Sequence, residues 1–170
     1  MNRHRPILRL LLAAGLAVLL AGCGFQLRGT AAGSASGFDR PVAIAGLPAY
    51  GPMERALREA LDAAGATTVE GQEADALVLR ISDRRSQRQV LSVDRRNKAV
   101  EFELEEALRF SVHTPAGEEV LPPRNLRTLR ILFNPEVEVL GRNREEELLR
   151  EDMRRELAQR VVERMRSELP

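Results

Sequence analysis

From Lys98 to His113 the chain alternates with a period of two. Val100, Phe102, Leu104, Leu108, Phe110 and Val112 share one parity, while Ala99, Glu101, Glu103, Glu105, Ala107, Arg109, Ser111 and His113 share the other. Successive side chains of a strand point to opposite faces, so this stretch reads as a long antiparallel strand with one face buried and one wet. Such a strand needs neighbours on both sides and an apolar layer to cover its dry face. Glu106 alone breaks the apolar parity, and a bulge at that position would accommodate it.

The rest of the chain supplies those parts. Val42-Ala43-Ile44-Ala45, after Pro41, is a short apolar strand candidate. Gly51-Pro52 opens a helix with proline at its first position. Met53, Ala56, Leu57, Ala60, Leu61 and Ala64 then fall on one face at helical spacing, and Gly65 is the natural stop. Leu77, Leu79 and Ile81 alternate with Val78, Arg80 and Ser82, so a strand begins near Ala76; it turns polar over Asp83–Gln89 and apolar again at Val90, Leu91 and Val93. Asp94-Arg95-Arg96-Asn97-Lys98 is a turn, and Thr114-Pro115-Ala116-Gly117 a hairpin connection. A further strand runs from Leu126 to Phe133, with Pro122-Pro123 upstream confining that portion to an edge or bend. Asn134-Pro135 ends it. Gly141-Arg142-Asn143 leads into a last helix with Asn143 as the expected N-cap and Leu149, Met153, Leu157, Val161 and Met165 as its apolar stripe. The expected fold is therefore α+β, a two-layer sandwich with two helices on one face of a mixed four-stranded sheet, in the order β-α-β-β-β-α.

The amino end has a different character. Arg3, His4, Arg5 and Arg9 precede an almost wholly Leu/Ala/Val run from Leu10 to Leu20, too short for a bilayer span of about 20 residues. Leu20-Ala21-Gly22-Cys23 follows, and Cys23 is the only cysteine of the chain. The junction resembles a bacterial lipobox. That resemblance implies cleavage after residue 22, with S-diacylglycerol and N-acyl chains on Cys23, more than the two signals that suffice for stable anchoring. The thiolate is the nucleophile such chemistry needs. Gly24, where an aspartate would signal retention at the inner membrane, implies the outer membrane. Residues 1–22 are thus expected to be a lipoprotein signal peptide, 23–38 a lipidated start and flexible tether rich in Gly, Ser and Ala, and 39–170 a single domain.

Composition narrows the function. Loss of residues 1–22 removes Arg3, Arg5 and Arg9 and leaves 23 basic against 25 acidic residues, a formal charge of −2. No basic surplus points to nucleic acid. His4 leaves with the signal, which leaves His113 as the one histidine, read as a solvated surface residue among glutamates. An acylated cysteine and one histidine build neither a His/Cys metal site nor a Cys-His dyad. No G-x-S-x-G setting or glycine-rich phosphate loop is present. The chain is expected to be no enzyme, and to carry no cofactor beyond the lipid on Cys23. Its cations are nearly all arginines, suited to phosphate and carboxylate. Arg154, Arg155, Arg160, Arg164 and Arg166 read as pairing with glutamates across strands or as surface charges that keep the domain soluble. Arg95, Arg96 and Lys98 admit two readings: cross-strand pairing, or an anion held at the turn, where three like charges otherwise repel.

Cys23-Gly24-Phe25-Gln26-Leu27-Arg28-Gly29 resembles the mature start of the LPS-assembly lipoprotein LptE family. The likeness continues through the Gly51-Pro52 helix, the Ser92–Glu101 turn, Phe133-Asn134-Pro135 and Leu140-Gly141-Arg142-Asn143. It implies a non-enzymatic subunit at the periplasmic side of the outer membrane, anchored through its lipid. By the same resemblance the subunit forms a 1:1 complex with the LptD β-barrel, plugs and helps assemble it, and binds lipopolysaccharide. The family's lipopolysaccharide-contacting positions fall on Arg95 and Arg142, with Arg96 and Lys98 as further candidates. The alternative is a free-standing periplasmic lipoprotein that binds peptidoglycan or another envelope protein.

Overall fold

A computed structural model describes residues 38–71, 75–133 and 139–169, with side chains described for all of these but 139–143. Among these residues the sheet has five strands, not four. The elements are β1 (Val42–Ala45), α1 (Pro52–Ala63), β2 (Thr68–Val69), β3 (Leu77–Val93), β4 (Ala99–His113), β5 (Glu119–Phe133) and α2 (Val139–Glu168). The sheet order is β2-β1-β3-β4-β5. The expected order β-α-β-β-β-α is therefore corrected to β-α-β-β-β-β-α. The additional strand, β2, is two residues long and pairs in parallel with β1, Val42 opposite Thr68. Two residues are too short to show a period, which is why the pattern hides it. Arg58 of α1 fixes it in place, donating from Nη1 to the Thr68 hydroxyl at 3.3 Å while its Nη2 holds Glu54 at 2.6 Å.

β1 is parallel to β2 and β3, and the β3-β4-β5 ladders are antiparallel. α1 begins at Pro52 as expected, and Gly65 closes it at φ 80°. Gly46, at φ 86°, follows β1 where a Cβ would lie 2.0 Å from the Ile81 carbonyl oxygen, so only glycine lets the chain leave β1 beside β3. α2 begins at Val139, upstream of the expected cap, so Asn143 lies within the helix. Neither Gly141 nor Asn143 is more than a modest penalty inside a long helix, so neither stops it.

Both helices cover one face of the sheet. Met53, Leu57 and Leu61 of α1 and Leu157, Val161 and Met165 of α2 join Leu79, Phe110, Val112 and Leu121 in the principal core. Phe38 is buried in the same cluster. Each such side chain contributes about 1.5–3 kcal/mol by leaving water. A smaller cluster of Leu104, Leu132 and Met153, with Phe102 and Leu149 against it, lies further along the ribbon.

Glu106 sits between the two clusters. It is fully buried, and its ladder is regular: Ser86, Glu106 and Thr128 stand in one row. The bulge expected at Glu106 is instead in the neighbouring strand, where the register slips between Ile81 and Asp83. One extra residue reverses the parity of β3. Leu77, Leu79 and Ile81 face the helices before the slip; Arg84, Ser86 and Arg88 lie opposite the helix-facing Leu108, Glu106 and Leu104 after it. The polar stretch of β3 is thus a continuation of the strand, turned over.

β5 continues through Pro122 and Pro123, but its ladder slips there: Arg124 pairs with Phe110 and Leu121 with Val112, leaving both prolines out of register in a bulge. The strand can continue because it is the edge strand, where a missing N–H costs no ladder bond on the outer side. Past residue 80, β3 has no β1 neighbour, so β3, β4 and β5 extend as a three-stranded ribbon.

Candidate functional site

The ribbon ends in the turn that carries the candidate cations. Asp94 organises it. Its backbone N–H donates to the Lys98 carbonyl at 2.8 Å, and its Oδ1 accepts from the backbone N–H groups of Arg96 and Lys98 at 2.8 and 2.9 Å. Asn97 takes the left-handed conformation at φ 61° that closes the loop, a geometry asparagine tolerates. The hydrogen bond from the Lys98 backbone leads in holding the Asp94 carboxyl below its ordinary range, with those from Arg96 adding to it. The Arg96 guanidinium also reaches Asp94, at 3.4 Å. One anion for this turn is therefore internal, and it was missed in the sequence because Asp94 read only as a turn former. Arg95, Arg96 and Lys98 are all exposed. Among the described residues Arg95 meets no acidic partner, so its guanidinium points to solvent with its hydrogen-bonding capacity available.

Arg142 lies in the first turn of α2, and its side chain is outside the described set. The amino end of α2 is nevertheless at the turn's end of the sheet. Glu146 bonds Arg88 of β3 at 2.9 Å, and Leu149 packs on the cluster beside Phe102. Arg88 in turn sits 4.7 Å over the Phe102 ring. Cys23 and the signal and tether residues through 37 lie outside the described residues.

Beneath the helix the arginines are engaged. Glu106 accepts from Ser86 at 2.6 Å and from Arg150 at 3.2 Å, with Arg84 and Arg154 at 3.6 and 3.9 Å. Arg154 is anchored in turn by Glu147 at 2.6 Å. Burial pushes the Glu146 carboxyl up, but hydrogen bonds from Arg150 and Arg88 outweigh it and leave it below its ordinary 4.5. Two α2 arginines also cap strand carbonyls: Arg150 donates to Gln87 O at 3.4 Å and Arg160 to Arg127 O at 2.9 Å. These contacts satisfy groups that edge strands otherwise leave open to another chain. Arg154, Arg155, Arg160 and Arg164 meet Glu147, Asp152, Glu156 and Glu168, pairs within α2 itself rather than across strands.

His113 is half-buried, with Nε2 2.9 Å from the Ser111 hydroxyl. That contact was not foreseen. Ser111 is 5% exposed, so no substrate reaches it as a nucleophile, and the contact orients the ring. Among the described residues no group of three His, Cys, Asp or Glu side chains could hold a metal ion. None of their helices is long and apolar enough to cross a membrane.

The domain is a helix-covered mixed sheet extended into a charged ribbon, with an ordered cationic turn at its tip. Comparison with known proteins gives it a family. The family model described as LptE, lipopolysaccharide-assembly, matches residues 40–165. An LPS-assembly lipoprotein LptE of Photorhabdus laumondii is 37% identical over 96% of this chain and 86% of its own length. That of Yersinia enterocolitica is 34% identical over 96% of this chain and 76% of its own. The rare lipoprotein B of Shewanella oneidensis superimposes with a TM-score of 0.64 at 27% identity, covering 75% of this chain and 94% of that one. A minor lipoprotein of Acinetobacter baumannii has the same fold, with a TM-score of 0.66 at 22% identity over 77% of this chain and 94% of that one. The chain belongs to the LptE lipopolysaccharide-assembly family.

Proposed function

We propose that this chain is the non-enzymatic lipoprotein subunit of the outer-membrane lipopolysaccharide translocon. Lipidated at Cys23 and held at the periplasmic side of the outer membrane, it sits 1:1 in the lumen of the LptD β-barrel, helps that barrel assemble, and binds lipopolysaccharide during delivery to the outer leaflet. Family membership across the whole described domain supports the assembly role. The observation that carries lipopolysaccharide contact is the turn from Asp94 to Lys98. Its backbone is ordered by internal hydrogen bonds, so binding there needs little further ordering of the loop itself. Arg95 offers a planar fork matched to phosphate. Arg142 stands at the same end of the sheet, which suits a ligand with more than one anionic group. A barrel lumen is polar, which suits a domain whose surface carries many charges of both signs.

Binding of lipopolysaccharide to the purified full chain tests this reading. Arg95→Glu combined with Arg142→Glu should weaken binding at least ten-fold, wild-type binding should weaken with added salt, and the circular dichroism spectrum should not change. Unaltered affinity in the double variant removes these two residues from the site.

A further inference from the structure

Eight large apolar side chains stand exposed among the described residues, and six of them lie on the ribbon that ends in the cationic turn: Val90, Leu91 and Val93 at the end of β3, and Leu129, Ile131 and Phe133 along the last part of β5. Such side chains scattered singly need no explanation; a group confined to one end of a domain does. The β5 residues form an ordered row. Thr128 and Leu132 face inward and are buried, so Leu129, Ile131 and Phe133 share the face that no helix covers. They are 39, 54 and 64% exposed, increasingly so toward the turn. At about 3.4 Å per residue the row is about 14 Å long.

The charges beside this row give it a direction. Leu129, Ile131 and Phe133 stand opposite Glu105, Glu103 and Glu101 of β4. Glu101 is held by the Ser92 hydroxyl at 2.6 Å. A line of carboxylates keeps anionic groups off the strand face, while the turn beyond it carries Arg95, Arg96 and Lys98. Arg85 and Arg127 lie at the far end of the same face, but the turn gathers three cations at the near end, so a ligand with phosphates at one end and hydrocarbon at the other fits with its phosphates at the turn and its chains along β5.

Resting on the lipopolysaccharide reading above, we propose that Leu129, Ile131 and Phe133 form an acyl-chain subsite, so that this domain holds the hydrocarbon of its ligand as well as its phosphates. The occupant is one acylated, phosphorylated lipid. Its chains leave water along β5 while its headgroup is fixed at the turn, so the affinity has a part that salt does not screen.

The test compares native lipopolysaccharide with the same molecule fully deacylated, each titrated against the full chain and its variants. Covering two half-exposed apolar side chains with hydrocarbon is worth about ten-fold in affinity. Ile131→Ser with Phe133→Ser should lose about that much for the acylated ligand and nothing for the deacylated one; Arg95→Glu should lose affinity for both. Unchanged affinity of the serine variant for the acylated ligand overturns the subsite and leaves the phosphate contact standing. Equal loss for both ligands also overturns it, because the effect then does not come from the chains. Loss of barrel recovery with lipid affinity intact makes the row a protein contact and overturns it as well. If the wild-type chain binds neither ligand, the underlying reading fails together with this one.

Discussion

Glu106 is the residue on which the interior turns. A buried carboxylate is tolerable only with its charge and lone pairs met. Ser86 and Arg150 bond Oε1, Arg84 lies 3.6 Å from Oε2, and Oε2 has no hydrogen bond among the described residues. Arg150 makes the shortest arginine contact to this carboxylate and is itself nearly buried, at 13% side-chain exposure. Arg150→Ala should therefore lower stability by about 3 kcal/mol in chemical denaturation, the cost of stripping a partner from a buried charge. A loss below about 0.5 kcal/mol would show that Arg84 and Arg154 suffice. The sequence places Glu106 on the dry face by parity alone, but not its partners. Those depend on the slip between Ile81 and Asp83, which brings Arg84 and Ser86 to the helix side. A bulge is fixed by tertiary packing and by the close approach of Gly46 to Ile81, neither of which leaves a local signature.

α2 is held in two ways along its length. Its second half is seated by Leu157, Val161 and Met165 in the core. Toward both ends it is tied to the sheet by ion pairs, Glu146 to Arg88 and Glu168 to Arg124, with Arg150 and Arg164 adding pairs to the same glutamates within the helix. The Arg124 hydrogen bond leads in holding the Glu168 carboxyl below its ordinary 4.5, with Arg164 adding to it; Glu146 is likewise held low. Groups whose folded pKa lies below the unfolded value stabilise the fold fully above the unfolded value, and that contribution is lost as pH falls through the folded one. The melting temperature should thus hold at pH values above the ordinary carboxylate value of 4.5 and fall as pH drops below it. Glu146→Gln with Glu168→Gln should melt lower at pH 7 and show a smaller acid-dependent fall; an unchanged fall would place the acid sensitivity elsewhere. Long elements were legible because their periods repeat many times: β4 by alternation, α1 and α2 by apolar stripes. β2 was not, because two residues have no period. The start of α2 was not, because Gly141 and Asn143 carry stop and cap chemistry that a long helix overrides.

The whole molecule is a helix-covered sheet with one end elaborated. The cations of that end were legible as the cluster Arg95-Arg96-Lys98. The apolar residues around them were not, because Val90, Val93, Ile131 and Phe133 look like ordinary strand residues until burial shows that nothing covers them. Asp94 was hidden for the same reason: its bonds to Arg96 and Lys98 appear only when the turn is closed. The most direct measurement is affinity purification of the tagged full chain from outer membranes solubilised in mild detergent. Stoichiometric recovery of one large β-barrel protein is the expected result. Recovery of peptidoglycan or another envelope protein, with no barrel, would contradict it and establish a free-standing envelope lipoprotein in its place.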